Sequence, residues 1–512
     1  MAERPYEFRR RLEIVHQPNR RDPDARPLDD EVVIGDGWSI VVGEQAPQLV
    51  LNVAQDLQDY LFTSMGESVL LRRSNDLAAV ARSSERVIVL ATKDELPELG
   101  AGLSAPRSYR IVCAPGRVVV CGADARGSGQ GSYYLEDVMN LREAPFLRQD
   151  DVTREPLFSP RMTHSGWGLD QFPDAHLNAI AHAGMDAILL FVTGVDRTPD
   201  EHTHRPDRAT AGRYQDVNHL VDRAEAHGLD VYFYAYFRNQ DTPHPEDPDA
   251  EAYYDGTFGD VFRACPRARG IILVGESVEF PSKDPHTTGR MRLAPSPDGL
   301  PPTKPSPGWW PCADYPQWLE LLKRVIRRHN SDADIVFWTY NWGYAPEDAR
   351  LALIRALPSD VTLQVTFEMF EPIKHEGITN VCVDYTASFV GPGRYFASEA
   401  QAAHERGLRL FTMSNTGGLT WDLGVIPYEP IPYQWARRHA ALRKARQDWG
   451  LSGLMESHHF GWWPSLVSEL TKWDYWTPSP TSEETCQALA RRDFGAAGAP
   501  LALAAWREWS EA

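Results

Sequence analysis

The chain has 512 residues, 42% apolar and 24% charged, ordinary values for a folded protein that exclude disordered and fibrous architectures. Lys and Arg number 52 against 71 Asp and Glu, a net charge of −19, and there is no Lys/Arg-rich stretch. Nucleic acid and anionic membranes are therefore not expected partners, no run of about 18 apolar residues predicts a spanning helix, and a small neutral or cationic substrate fits better.

The opening stretch, MAERPYEFRRRLEIVHQ, carries early positive charge but neither an apolar core nor a small-residue cleavage site. It does not read as a secretory leader, so a cytoplasmic location is expected. Six cysteines, Cys113, Cys121, Cys265, Cys312, Cys382 and Cys486, include no CxxC pair. They predict free thiols in a reducing compartment, with no disulfide framework and no zinc ribbon. Sixteen tryptophans cluster in pairs such as Trp309-Trp310 and Trp462-Trp463. Two readings stand side by side: core packing, and aromatic platforms for sugar rings.

Residues 1–155 predict a small α+β domain. Strand-like runs occur at 12–16, 32–42, 87–90 and 108–122. The last holds Ala114-Pro115-Gly116 between two β-rich halves and reads as an antiparallel hairpin. Residues 46–62 carry apolar side chains at helical spacing, and a second helix is predicted to start near Ser132. Between hairpin and helix lies a glycine-rich stretch, Gly127 to Gly131. Such a turn can cradle a phosphate, but the strand before it belongs to a hairpin and not to a parallel βαβ unit. A tight strand-to-helix turn is the simpler reading.

Residues 156–475 repeat one pattern: a helix-like stretch ends at a glycine and an apolar strand begins. The glycines are Gly184, Gly228, Gly270, Gly407 and Gly450. Glycine tolerates the positive φ of a helix C′ position, which closes the helix before the chain turns back. The longest gap holds two further strand candidates, 335–340 and 361–367, and an opening strand at 161–164 brings the count to eight. Strands this continuously apolar are covered on both faces. The prediction is α/β: a (β/α)₈ barrel, with an open doubly wound sheet as runner-up. A strand-like run at 381–389 reads as an excursion between barrel strands six and seven. Residues 476–512 read as a helical segment that breaks off in mid-rhythm, so a longer C-terminal region is expected.

Functional residues of such a barrel sit at the C-terminal ends of its strands. Those ends hold His164 and Trp167, Arg238, Glu276, Asn341 and Trp342, Glu368, Asn415, and Glu456 with His458; Trp421 and Asp422 lie in the loop after strand seven. Carboxylates with Asn, Arg and Trp at one mouth suit glycosidic cleavage, which needs a proton donor and usually a second carboxylate as nucleophile or base. Glu276, Glu368 and Glu456 are the candidate catalytic acids. His164, Trp167, Arg238, Asn341, Trp342, Asn415, Trp421, Asp422 and His458 are the candidate sugar binders. Glu456 with His458 also suggests a metal, but three well-placed ligands are not evident, so neither metal nor cofactor is expected. No Gly-x-Ser-x-Gly elbow occurs.

The hairpin, the stretch GADARGSGQGSYYLEDVM and the barrel opening at Pro160-Arg161 resemble the layout of family 20 β-N-acetylhexosaminidases, which carry a small non-catalytic domain before the barrel. Family 67 α-glucuronidases and family 84 hexosaminidases are similarly arranged, and Arg492-Asp493-Phe494-Gly495 followed by a helix resembles the segment after the barrel in the latter two. The resemblance implies an exo-acting glycoside hydrolase with Glu276 as general acid. It departs at Gly275, where family 20 enzymes carry an Asp that orients the substrate's own acetamido group. The activity it implies is cleavage of a terminal β-N-acetylhexosaminide-like sugar. The alternatives are an α-glucuronidase-like hydrolase, with Arg238 pairing a uronate, and a carbohydrate-binding barrel without catalysis. The expected partner is a sugar or oligosaccharide; the oligomeric state stays open, a homodimer included.

Overall fold

A computed structural model describes residue 12 and residues 14–511, except 168–169, 193–210, 239–241, 280–281, 284–310, 341, 376, 382–383, 418–419, 421, 423–428 and 459–460. The chain begins with β1 (Glu31–Val33), β2 (Ser39–Gly43), helix α1 (Gln48–Met65), β3 (Leu70–Ser74) and β4 (Val87–Thr92). The hairpin β5 (Tyr109–Ala114) and β6 (Arg117–Gly122), helix α2 (Ala125–Arg142), β7 (Phe146–Arg148) and β8 (Asp150–Pro156) follow. β3, β2, β4 and β6 run parallel, and β5 and β8 extend the same sheet antiparallel; β1 pairs separately with β7. β4 is buried along its whole length because α1 and α2 cover one face and helix Leu77–Ser83 the other. Each large apolar side chain taken out of water there contributes about 1.5–3 kcal/mol.

Two expectations change here. Residues 14–16 are coil, not strand, and the predicted run 32–42 divides into β1 and β2. The glycine-rich stretch is not a turn: Gly127, Gly129 and Gly131 lie inside α2, with Asp124 as its N-cap. A Cβ at Gly131 would sit 2.5 Å from Val120 Cγ1 and 3.2 Å from the Tyr109 ring. The glycines bring the helix close against the hairpin, which is a packing reason and leaves no phosphate cradle to explain.

The second part is a closed barrel of eight parallel strands, as the apolar runs predict. Its members are β9 (Arg161–Thr163), β10 (Ala187–Phe191), β11 (Asp230–Arg238), β12 (Gly270–Glu279), β13 (Asp334–Trp338), β14 (Thr362–Thr366), β17 (Leu410–Met413) and β18 (Leu451–Met455), with β9 pairing β18. The excursion after β14 is a hairpin of its own, β15 (Pro372–His375) with β16 (Ile378–Val381). Met162, Leu189, Tyr232, Ile272, Val336 and Met455 fill the interior. Alternate residues such as Ile188, Phe233, Leu273 and Ile335 pack outward on the helices.

Among those helices are α3 (Asp174–His182), α4 (Arg394–Arg406), α5 (Pro432–Trp449) and α6 (Leu466–Asp474). Gly184, Gly228, Gly407 and Gly450 have φ between 67° and 80°, as a C′ position requires. Gly270 is different. It opens β12, and a Cβ there would meet the Asp334 side chain at 2.7 Å on the neighbouring strand.

After α6, the short strand β19 (Trp476–Thr477) pairs antiparallel with β8 and completes the first sheet, making it seven-stranded. Helix α7 (Ser482–Glu511), broken at Gly495, closes against α5 and α6 through Cys486, Leu489 and Trp506. No helix among the described residues is long and apolar enough to cross a membrane.

Candidate active site

Side-chain parity along each strand decides what reaches the barrel mouth. On β14, Leu363 and Val365 pack outward, as does Phe367, so the next residue, Glu368, turns inward. Glu368 is fully buried. Its carboxylate accepts a hydrogen bond from Asn415 Nδ2 and lies 3.5 Å from Arg438 of α5. Asn415 follows β17 with a φ of 57°, in the left-handed region that asparagine tolerates. Arg438 donates to the carbonyls of Ser414 (3.2 Å), Thr386 (2.7 Å) and Phe389, tying α5 to the loop that carries the second acid.

That second acid is Asp384. It is buried and accepts from the backbone N–H of Tyr385 at 2.7 Å. Burial pushes its pKa well above the usual aspartate range, the negative charge of Glu368 pushes it further, and Tyr385 N–H, Tyr340 and Asn415 oppose the rise. Burial also raises Glu368, against the pull of Arg438 and Asn415. Each carboxyl is thus pushed toward its protonated form by burial, and the charge of Glu368 adds to the push on Asp384.

Beside the pair stands an aromatic box around His458. Its Nδ1 is 2.6 Å from the Tyr385 hydroxyl, and its Nε2 is hydrogen-bonded to the Tyr234 hydroxyl. The Tyr385 ring stacks on it at 5.3 Å, and Trp338 and His164 meet it edge-on at 5.5 and 5.7 Å. His164 in turn stacks on Phe191 at 4.8 Å. Glu368, Asn415, His164 and His458 are thus gathered at one end of the barrel, while Trp167 is half-buried on the loop after β9.

Two expected site residues are turned away from this mouth. Met455 fills the barrel interior, so Glu456, next along, faces the helix layer. There it pairs with the buried guanidinium of Arg161 and accepts from Thr416 Oγ1 at 3.3 Å. Arg161 also donates to Thr471 Oγ1 (3.1 Å) and Gly184 O (3.2 Å), and lies over the Tyr475 ring. Glu456 and His458 therefore do not share a side: β18 ends at Met455 and the alternation that would align them stops. Trp342 is the other. Its indole packs against Tyr315 and Phe337 and donates to Gly275 O at 2.7 Å, a core position between β13 and a barrel helix.

Asp422 holds the site's outer loop. It accepts from Thr386 Oγ1 (2.6 Å), Ala387 N (2.7 Å) and Ser388 N (3.0 Å). Glu276 lies on β12, which runs on to Glu279, and Arg238 is the last residue of β11, in register with Glu279. The side chains of both, together with Asn341 and Trp421, lie outside the described residues.

Sequence reasoning missed Asp384, Tyr385, Tyr234, Tyr340 and Arg438. A lone acid inside the apolar run 381–389 was the available signal for Asp384. The tyrosines sit within or beside strands where they read as core, and Arg438 sits on the apolar side of a helix.

No protein-family model and no curated protein matches the sequence. Solved structures do share its architecture. A GH138 enzyme targeting pectin rhamnogalacturonan II aligns with a TM-score of 0.57 and 12% identity over 92% of this chain. The chain spans 55% of that protein's length. The GH20 β-N-acetylhexosaminidase from Streptomyces coelicolor A3(2) aligns at 0.53 and 14% identity, over 96% of this chain and 97% of that one. A β-N-acetylhexosaminidase from Bacteroides fragilis NCTC 9343 aligns at 0.51 and 11% identity, over 93% and 95%. At these identities the likeness is one of fold: an eight-stranded parallel barrel with a mixed sheet before it.

Proposed function

We propose that the protein is a glycoside hydrolase that removes a terminal sugar by carboxylic acid/base catalysis, with Glu368, Asp384 and Glu276 as its acids. The carrying observation is the buried pair Glu368–Asp384 beside an aromatic box at the C-terminal end of the barrel. A carboxyl kept protonated at neutral pH is what proton donation to a leaving oxygen requires, and an ionised neighbour is what attack or water activation requires. The rings of Tyr385 and Tyr340 wall this end of the barrel with apolar faces of the kind that a sugar's C–H groups pack on, and the Tyr385 and Tyr234 hydroxyls hold His458 between them. The likeness in fold to glycoside hydrolases supports the same reading.

The substrate favoured by the resemblance is a β-N-acetylhexosaminide; Gly275, in place of an Asp, makes a glucuronide the alternative. The test is a panel of aryl glycosides covering N-acetylglucosaminide, N-acetylgalactosaminide, glucuronide, glucoside and galactoside. One of them should be turned over, and Asp384→Asn, Glu368→Gln and Glu276→Gln should each lower kcat by about 10²-fold or more with the fold retained. Sugar binding without hydrolysis of any member would make this a carbohydrate-binding barrel. Near-wild-type turnover in all three variants would remove these acids from the chemistry.

A further inference from the structure

Apart from the residues of the mouth, four side chains from four separate segments converge. His16 comes from the segment before β1, Asp56 from α1, Glu136 from α2 and His182 from the last turn of α3. One ligand atom from each lies within 4.8 Å of all the others. His182 Nε2 is 3.0 Å from Asp56 Oδ2 and 3.1 Å from Glu136 Oε2. His16 Nε2 is 3.2 Å from Asp56 Oδ1, and its Nδ1 is 3.8 Å from Glu136 Oε2. Four ligands about 2.1 Å from one tetrahedral ion stand about 3.4 Å apart, so one atom from each residue within 4.8 Å of the rest needs only small side-chain adjustments to close such a shell.

The surroundings orient the same four groups. His182 Nδ1 lies 2.9 Å from the carbonyl of Asn178, which orients the ring so that Nε2 faces the two carboxylates, 3.1 Å from Glu136 Oε2. Asn178 also donates to Asp56 Oδ1 at 2.6 Å, and the Tyr133 ring backs His182 at 3.8 Å. Asp56 Oδ2 is buried yet makes no hydrogen bond, although His182 Nε2 is within 3.0 Å. The oxygen and the nitrogen are close without being aligned donor to acceptor, as two ligands aimed at a common third point would be. A cleft lined by His16, Tyr60, Glu136, His182, Trp462 and Lys472 gives an ion a way in.

We propose that His16, Asp56, Glu136 and His182 form a four-coordinate site for a divalent transition metal of zinc's class. Two neutral imidazoles and two carboxylates balance its charge, and nitrogen ligands disfavour calcium and magnesium. The ion would pin the N-terminal segment, both sheet helices and the first barrel helix at one point, a structural and not a catalytic role. The rival occupant is a proton: against burial, which disfavours its charge, Asp56 and Glu136 hold the His182 pKa up to about 10.

The test uses the full chain. Dialysis against Zn²⁺ followed by elemental analysis should return one ion per chain. Exchange with Co²⁺ should give the intense visible absorption of a tetrahedral centre, and chelation should lower Tm by several degrees. His16→Gln, in a coil segment, and Asp56→Asn should each abolish the Co²⁺ spectrum and the chelator effect. Less than stoichiometric metal with a Tm indifferent to both metal and chelator would overturn the site in favour of protonated His182. So would an unchanged Co²⁺ spectrum in both variants. None of these readouts depends on hydrolytic activity.

Discussion

Glu368 and Glu456 both lie within two residues of the end of a barrel strand, yet their surroundings differ in kind. Glu368 shares the inward parity of Gln364 and Thr366, whereas Glu456 takes the outward parity of Leu454. The carboxylate of Glu456 is therefore neutralised by Arg161 in the layer between barrel and helices. Removing one partner of a buried pair leaves an uncompensated charge, and Glu456→Ala should cost about 3–5 kcal/mol, read as a lowered midpoint in urea. An unchanged midpoint would mean that Arg161 finds another acceptor. The residue types of the site were legible in the chain, but their direction was not. An acid at a strand end is visible as a letter; the parity that sends it inward or outward depends on where the strand stops, and β18 stops at Met455. Asp384 was hidden for another reason: the segment that carries it has no period of its own and is placed by Arg438 and Asp422, which lie many residues downstream.

At the scale of elements, apolar runs and helix-ending glycines were enough to find all eight barrel strands, because a strand covered on both faces must be apolar throughout. Gly270 was read as a helix-ending glycine and the Gly127–Gly131 stretch as a turn because glycine in a sequence signals either conformational freedom or lack of bulk, and the letter does not say which. Here it is bulk. Gly131→Ala puts a methyl group against Val120 and Tyr109 on rigid backbone, where overpacking costs about 1–3 kcal/mol. The gain in intrinsic helix propensity is about 1 kcal/mol at most. Thermal melts should show a net loss of stability; an increase in Tm would mean that α2 can lift off the hairpin freely.

Across the whole molecule, sheet and barrel are joined by buried charge as well as by apolar surface. Arg107, next to β5, pairs with Asp186 before β10 and donates to Gly184 O at 2.8 Å, while Lys472 of α6 reaches Asp137 of α2 at 2.8 Å. Asp186 also accepts from Ser159 Oγ at 2.6 Å, so its carboxylate is fully engaged. Arg107→Ala should strip about 3 kcal/mol or more from this junction and separate the melting of the sheet from that of the barrel. Calorimetry would show this as two transitions in place of one; a single transition at the wild-type temperature would mean that the apolar contacts suffice.

The pairing of β19 with β8 carries a consequence for how the chain comes off the ribosome. The edge of β8 waits bare until the entire barrel has been synthesised, because the strand that covers it is encoded after the last barrel helix. A fragment ending after β8 would present that open edge to any passing strand, and one ending at α6 would do the same. Biosynthesis of the first sheet therefore finishes only after the whole barrel has been translated, and any version shortened within the barrel leaves β8 without Trp476 and Thr477 to seal it.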